Sequence, residues 1–146
     1  VDMPIQCDIV SQDRMVFSGE AEMVILPGSE GVMGILPNHS PVLTTFNFGI
    51  ITVITKRERN YFTVAGGIAE VQPNLITVLA DAAENVEELD ESRAEKAKER
   101  AELLLNENIS AEDEKDALKY ALRRSTFRLE AIRRFKRSSK GSLKDR

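Results

Sequence analysis

The periodicity of the apolar residues changes once along the chain, near Asp81, and this change limits the possible folds most strongly. Before it, apolar and polar side chains alternate over short segments, as at Ile5, Cys7 and Ile9, which is typical of strands with one buried face. After it, apolar side chains recur at intervals of three and four, which is typical of amphipathic helices. The sequence therefore predicts a β domain over residues 1–86 and a helical domain over residues 87–146.

The β domain consists of short apolar, often β-branched segments that are separated by turn-forming residues. Strands are predicted near Ile5–Val10, Met15–Ser18, Glu22–Leu26, Met33–Leu36, Val42–Phe46, Gly49–Thr55, Tyr61–Ala65, Ile68–Val71 and Leu75–Leu79. Gly66 and Gly67 are predicted to interrupt the strand pairing. The run of acidic residues that begins at Asp81 is predicted to end the sheet. No segment between strands has the length of a helix, which excludes parallel βαβ units. The pattern indicates an antiparallel β-sandwich or a flattened barrel.

The helical domain is predicted to be an antiparallel two-helix hairpin. The first helix has Asp90 as its N-cap and Asn106–Asn108 as its end, with the apolar stripe Ala94, Ala97, Ala101 and Leu104. The second helix has Ser110 as its cap and the stripe Leu118, Ala121 or Leu122, Ser125, Leu129 and Ile132. Because both stripes are narrow, the hairpin can fold onto the β domain, extend along another protein, or alternate between the two. Periodicity is lost after Phe135, which predicts a frayed basic tail.

A stiff loop is predicted within the segment Gly28–Pro41. Glycines around Ser29 and Glu30 favour a tight turn, and Pro37 and Pro41 fix the backbone of the loop PNHSP. A loop of this kind suits docking against a partner better than it suits a moving lid.

Composition excludes several classes of protein. The 146 residues are 42% hydrophobic, which favours a globular protein, and no apolar run approaches the roughly 20 residues of a membrane helix. No secretory signal is recognisable, and the single cysteine, Cys7, is expected to be a small buried apolar residue in a reducing compartment. Residues 123–146 carry ten basic and two acidic side chains, which suggests a partner with an acidic surface.

The residues that could carry chemistry do not form an enzyme site. His39 is the only histidine and has no nucleophile and acid spaced around it, and no cluster has the spacing of metal ligands. The segment GSEGVMG lacks the lysine of a phosphate-binding loop. An enzyme centred on His39 and a nucleic-acid-binding module driven by the basic tail are kept as alternatives.

Arginine spacing leaves two interpretations open. Arg93 and Arg100 share one face of the first helix, and Arg124 and Arg128 share one face of the second. In a compact hairpin the two pairs can converge and hold a polyphosphate, since guanidinium groups bind phosphate in a bidentate manner. The alternative is a solvated face with ion pairs.

Three segments, in this order, resemble the epsilon subunit of F-type ATP synthases, which is equivalent to the delta subunit of the mitochondrial enzyme. They are GSEGVMGILPNHSPVLT from residue 28, YFTVAGGIAEVQPNLITVLADAAE from residue 61, and LDESRA from residue 89 with the alanine-rich helix that follows. The resemblance covers almost the whole chain to about Arg134. It implies an α+β fold, with a flattened antiparallel β-sandwich followed by a C-terminal antiparallel two-helix hairpin.

The resemblance implies a non-catalytic rotor subunit of the central stalk, of bacterial type, peripheral on the cytoplasmic side of the cell inner membrane. Such a subunit couples rotation of the proton-driven c-ring to ATP synthesis and inhibits ATP hydrolysis through its helices. The sandwich is implied to bind the gamma subunit and the c-ring through Glu30, Met33, Pro37, Asn38, His39 and Pro41. The hairpin is implied to meet acidic beta-subunit loops of the alpha/beta hexamer through Arg123, Arg133 and Arg134.

Some bacterial members of the family also bind ATP in the folded hairpin. Their pattern is matched here by Leu89, Asp90, Arg93 and Ala94, and further matching positions are Glu84, Arg100, Arg124 and Arg128. The resemblance therefore favours the polyphosphate interpretation, with ATP as a regulatory ligand and no required cofactor or metal. The predicted partners include neither nucleic acid nor an inserted membrane segment.

Overall fold

The structure of the protein is a computed structural model, and residues 3–107 and 111–144 are described from it. Seven strands precede two helices, whereas the sequence predicts nine shorter strands before the hairpin. The strands are β1 (Ile5–Ser11), β2 (Met15–Ala21), β3 (Met23–Gly28), β4 (Gly31–Ile35), β5 (Val42–Ile54), β6 (Arg59–Val71) and β7 (Leu75–Asn85). A 3₁₀ turn (Val86–Glu88) leads into the helices α1 (Glu91–Leu105) and α2 (Glu112–Lys144).

The seven strands form one hydrogen-bonded sheet that folds over itself into two layers. The strand order is β2-β1-β7-β6-β5-β3-β4. Phe17 in β2 and Phe62 in β6 lie three strands apart in that order, yet their ring centroids are 5.2 Å apart. In a flat sheet this separation would be about 14 Å, since neighbouring strands are about 4.8 Å apart. The predicted sandwich is therefore confirmed, and its layers enclose one apolar core.

Two long strands pass from one layer to the other at a common bend. In the pairing of β5 with β6, Asn47 and Gly66 are skipped, and Gly66 has a φ of +75°, a conformation that favours glycine. The predicted interruption of the pairing therefore occurs at Gly66, but Gly67 is paired on both sides, and one 13-residue strand continues through both glycines instead of two short ones. The predicted strands Val42–Phe46 and Gly49–Thr55 are likewise one strand, which ends at Ile54.

The end strand β7 departs from the prediction in two ways. It pairs in parallel with β1, with Gln6 opposite Leu75, while the other strand pairs are antiparallel among the described residues. It also continues to Asn85, so the acidic run does not end the sheet. Asp81 is exposed and is skipped in the pairing with β6, whereas Ala83 points into the core, so the acidic residues are accommodated on the outer side.

The first helix of the hairpin begins and ends as predicted, but its buried face includes only part of the predicted apolar stripe. The Asp90 carboxylate accepts a hydrogen bond of 3.0 Å from the backbone N–H of Arg93, and α1 ends at Leu105. Ala94 and Ala101 are buried, but Ala97 is exposed because the buried seam passes through the partly buried Lys98 instead. Ser110, the predicted cap of α2, lies outside the described residues. The tail predicted to fray after Phe135 is helical to Lys144.

The hairpin is folded onto the sandwich, which is one of the three arrangements that the sequence leaves open. On α2, Ser125, Leu129, Ala131 and Ile132 are buried. The end of α2 packs with the strands and the linker in a second apolar cluster, formed by Ile50, Tyr61, Val86, Ala131 and Ile132, with Leu89, Phe127 and Phe135 at its margin. The domains therefore meet through α2, while α1 packs on α2.

Candidate functional site

Glu84 is the centre of a charged cluster between β7 and α2. Its two carboxylate oxygens accept hydrogen bonds from Nε and Nη2 of Arg128, at 2.9 and 2.8 Å, in a bidentate pair. The hydroxyl of Thr63 donates to the same carboxylate at 3.3 Å, and Nη2 of Arg124 lies 3.8 Å from it. Two guanidinium groups thus share one carboxylate.

The cluster carries more positive than negative charge and is only partly exposed to water. The side chains of Glu84 and Arg128 are 25% and 21% exposed, so the pair is partly shielded from water. One carboxylate cannot neutralise two arginines, which leaves net positive charge beside a half-buried surface. Guanidinium groups in this arrangement suit phosphate oxygens.

The other residues of the predicted ATP pattern lie around the start of α1. Leu89 is half-buried in the apolar cluster, and Ala94 is buried under α2. The Asp90 carboxylate is occupied as the N-cap of α1. Arg93 and Arg100 are exposed, and within residues 3–107 and 111–144 neither forms an ion pair with the Glu84 cluster. Glu84, Arg124 and Arg128 are therefore brought together, and the convergence of both arginine pairs stays a prediction.

The residues predicted to contact gamma and the c-ring lie at both ends of β4. Glu30 is exposed in the tight turn between β3 and β4, and Met33, in β4, is half-buried against the core. The PNHSP loop lies beyond the opposite end of β4, a strand that spans about 14 Å at the usual rise per residue. The predicted contacts thus follow an edge strand of the sheet.

The PNHSP loop is held in one shape, as predicted. Asn38 has a φ of +64°, which asparagine tolerates better than most residues, and its backbone N–H donates to the carbonyl of Pro73 at 2.8 Å. Nδ1 of His39 donates to the carbonyl oxygen of Ser40 at 2.7 Å. His39 thus stabilises its own loop, and nothing in this geometry resembles a nucleophile–base pair.

The three arginines predicted to meet beta subunits differ in their surroundings. Arg134 pairs with Glu130 at 3.2 Å, one turn earlier on α2, and Arg133 is exposed. The guanidinium carbon of Arg123 lies 4.7 Å from the centroid of the Phe48 ring. Phe48 is a residue that the sequence reasoning missed. The available signal was a large aromatic residue on the outward side of a strand next to a glycine.

An exposed apolar row across four strands was also missed. Ile68 pairs with Leu79, Leu79 with Val10, and Val10 with Met15, so these side chains share the outer face of the sheet. Leu79 and Met15 are 53% and 55% exposed. Apolar patches of this kind mark surfaces that other proteins cover. Alternation within each strand signals these outward positions, but only the sheet order shows that they are neighbours.

The remaining candidates carry no chemistry of their own. Burial raises the pKa of the Cys7 thiol to about 12, which confirms that Cys7 acts as a buried apolar residue. Among the described residues, no group of histidine, cysteine and acidic side chains has the geometry of a metal site.

Comparison with known proteins decides the family. Residues 4–86 match the model of the ATP synthase delta/epsilon chain β-sandwich domain, and residues 87–133 match that of the delta/epsilon chain long α-helix domain. The chain belongs to the ATP synthase delta/epsilon family. The resemblance found in the sequence is thereby confirmed, and so is the α+β fold of a sandwich and two helices.

Individual epsilon chains agree with this assignment over nearly their whole length. The ATP synthase epsilon chain of Herpetosiphon aurantiacus is 43% identical over 131 residues, which are 90% of this chain and 96% of that one. That of Xanthomonas campestris pv. campestris strain B100 is 40% identical over 137 residues, which are 93% of this chain and 97% of that one. The chain is an epsilon-type subunit of ATP synthase.

Solved structures of the family share the fold at much lower identity. A chain in the OSCP/F1/c-ring structure of the Euglena gracilis mitochondrial ATP synthase is 22% identical with a TM-score of 0.76, covering 90% of this chain and 82% of that chain. A chain in the central stalk/c-ring structure of the Tetrahymena thermophila enzyme is 13% identical with a TM-score of 0.57, covering 90% and 98%. Their agreement concerns the fold.

Membership of the epsilon family also bears on the alternative functions that the sequence left open. The nucleic-acid-binding module suggested by the basic tail finds no support, since the family models account for both domains. In the described part of this epsilon-type subunit, neither helix has the length and apolar character needed to cross a membrane. Its connection with a membrane is that of the ATP synthase complex.

Proposed function

We propose that this epsilon-type chain is a non-catalytic rotor subunit of the central stalk, which couples rotation of the c-ring to ATP synthesis and restrains ATP hydrolysis through its hairpin. The observation that carries the proposal is the match to both epsilon-family domains over residues 4–133. We place the subunit on the cytoplasmic side of a bacterial inner membrane, as a peripheral component of the complex.

The sandwich is proposed to bind the gamma subunit and the c-ring. Its rigid core, the fixed PNHSP loop and the exposed edge at Glu30 support a role as a structural coupler, because torque is transmitted only through surfaces that do not deform. The apolar row from Ile68 to Met15 adds a second surface. It suits a large protein partner such as gamma, since water would be released on contact.

Binding of gamma is tested by placing a charge in the apolar row. Leu79→Asp should lower the affinity for purified gamma subunit by at least about tenfold, since it leaves a carboxylate in an apolar interface. Leu103→Asp is the matched control, because Leu103 is similarly exposed but lies on α1. Equal affinity of the two variants for gamma would exclude the row as the gamma surface.

The hairpin is proposed to control hydrolysis by leaving the sandwich and extending toward the alpha/beta hexamer. The basic side chains of Arg123, Arg133 and Arg134 on α2 would then meet acidic beta-subunit loops. The narrow seam of α1, with Ala94 and Ala101 as its buried residues, supports the separation of the two helices that extension requires, because little apolar area would be exposed between them.

ATP is proposed to bind the compact hairpin and stabilise it. Its phosphates would take the place of the Glu84 carboxylate as partners of Arg124 and Arg128, while Arg93 and Arg100 would approach from α1. A ligand that binds only the compact state shifts the equilibrium toward it. ATP would in this way hold the subunit in its non-inhibitory form.

Calorimetric titration of the whole chain with ATP, with and without magnesium, tests this assignment. We expect one-to-one binding that is abolished in the double variant Arg124→Ala/Arg128→Ala, with the sandwich still folded by circular dichroism. The double variant Arg133→Ala/Arg134→Ala removes the same charge from the same helix and should bind ATP normally. Unchanged binding in the first variant would refute the site, and no binding by the wild type at millimolar ATP would refute ATP control while leaving the rotor role.

A further inference from the structure

The contact between α2 and the sandwich includes a cluster around Phe48, a residue that belongs neither to the ATP site nor to the partner surfaces. Tyr120, Arg123 and Phe127 lie at intervals of three and four on α2, so all three face the same side. That side meets Phe48 of β5. We propose that Phe48, Tyr120, Arg123 and Phe127 form a latch that holds α2 on the sandwich. The Phe48 ring is its fixed side, and Arg123 is the charged residue that can change partners.

Three contacts of defined geometry converge on the Phe48 ring. The Phe127 ring stacks on it with a centroid distance of 5.9 Å and an interplanar angle of 10°. The Tyr120 ring approaches edge-on, at 5.0 Å and 62°. The Arg123 guanidinium lies over the ring at 4.7 Å. Stacked and edge-to-face pairs and a cation over a ring are the favourable arrangements for an aromatic quadrupole.

Phe48 is placed by the most constrained part of β5. It follows Asn47, where the strand bends between the layers, and precedes Gly49, where an added Cβ would lie 2.3 Å from the Cβ of Pro27. Its neighbour on β6 is Ala65, and the neighbour of Ala65 on β7 is Ala82, so small side chains leave the ring free to meet α2. The ring therefore stands at a fixed corner of the sandwich.

The latch joins the two regions of the molecule without using the Glu84 cluster. Phe48 is half-buried and Tyr120 is 46% exposed, so the cluster lies at the margin of the interface, where water can enter. Arg123 remains exposed while it covers the ring. Under the proposed function, the same guanidinium is a contact for acidic beta-subunit loops. When the hairpin extends as the proposed function describes, α2 leaves the sandwich and the guanidinium exchanges the Phe48 ring for an acidic partner, so partner contact and latch opening are linked.

Hydrogen exchange of the whole chain in the absence of ATP and other subunits tests the latch. Phe48→Leu keeps an apolar side chain but removes the ring, and we expect the amides of residues 118–132 to exchange about tenfold faster. Arg123→Gln should accelerate the same amides about threefold. Arg133→Gln is the matched control, with the same charge change on an exposed position of α2, and should leave them unchanged.

The double variant Phe48→Leu/Arg123→Gln shows whether the arginine acts through the ring. If it does, Arg123→Gln has no further effect once the ring is gone. Exchange in Phe48→Leu equal to that of the wild type, with the sandwich folded by denaturant titration, would overturn the latch. Equal effects of Arg123→Gln and Arg133→Gln, or fully additive effects in the double variant, would overturn the role of Arg123. Neither result depends on ATP or gamma binding, so failure of the latch is distinguishable from failure of the proposed function.

Discussion

The sandwich and the hairpin are stabilised by different kinds of side chain. Among the residues whose burial is described, the twelve largest fully buried side chains, including Phe62, Ile51 and Leu26, all belong to the sandwich strands. The buried residues of α1 are alanines, and α2 adds a serine and a few aliphatic side chains. The hairpin relies further on ion pairs at its margins, such as that of Lys136 with Glu91. A large apolar core stabilises a single conformation. A contact made of small buried side chains and surface ion pairs is weaker and permits a second conformation of the hairpin.

Truncation in the core of the sandwich should have the largest effect. Phe62 is fully buried, so Phe62→Ala removes a large apolar side chain and leaves a cavity, and we expect the free energy of unfolding to fall by about 3–5 kcal/mol. Denaturant titration followed by circular dichroism measures this loss. A loss below about 1 kcal/mol would mean that the core of the sandwich is not the stable unit of the molecule.

Truncation in the hairpin should destabilise the hairpin and leave the sandwich unchanged. Leu129 on α2 is 5% exposed, and Leu129→Ala should weaken the packing of α2 by about 2 kcal/mol, at the low end for such a change because the thin helical layer can close over the lost volume. Hydrogen exchange of α2 should accelerate while the unfolding midpoint of the sandwich stays the same. If the unfolding midpoint of the sandwich falls as far as in Phe62→Ala, the sandwich and the hairpin unfold as one unit. The difference in stability between the two regions would then be contradicted.

The smallest effect is expected at the linker, where Arg14 pairs with Glu88 across 2.7 and 3.2 Å. The hydrogen bonds from Arg14 lower the pKa of Glu88 below its usual value. A lowered pKa in the folded state means that the pair stabilises the protein above the usual pKa of glutamate, near 4.3, and that this stability is lost as the pH falls through the lowered value. Both side chains are about half exposed, so water and salt weaken the pair.

Comparison of Glu88→Gln with the wild type between pH 6 and pH 3 measures the contribution of this pair. The difference between their denaturation midpoints should be present at pH 6 and decrease steadily as the pH falls toward 3. Glu95→Gln, the same change at an exposed position of α1, is the control for the substitution itself. A difference that does not decrease between pH 6 and pH 3 would show that Glu88 acts by packing and not by its charge.

Local signals in the sequence predicted the elements well, and the resemblance predicted the family. The Asp90 cap depends on residues within one turn, so it could be predicted from the sequence alone. The bend at Gly66 could not, because glycine can either end or bend a strand, and the choice depends on the partners β5 and β7. Arg128 and Phe48 find their partners only after the domains meet, and no spacing along the chain reports that contact.

Parallel pairing of β1 with β7 determines when during synthesis the sandwich can form. Gln6 and its partner Leu75 are 69 residues apart, so β1 must wait until nearly the whole domain has left the ribosome. Until then the β1 edge that β7 will cover is open to pairing with other chains. The hairpin follows directly after β7 in the chain, so it docks on a sandwich that already has all of its strands. The order of the chain thus ensures that the hairpin is made after the sandwich, when its docking surface exists.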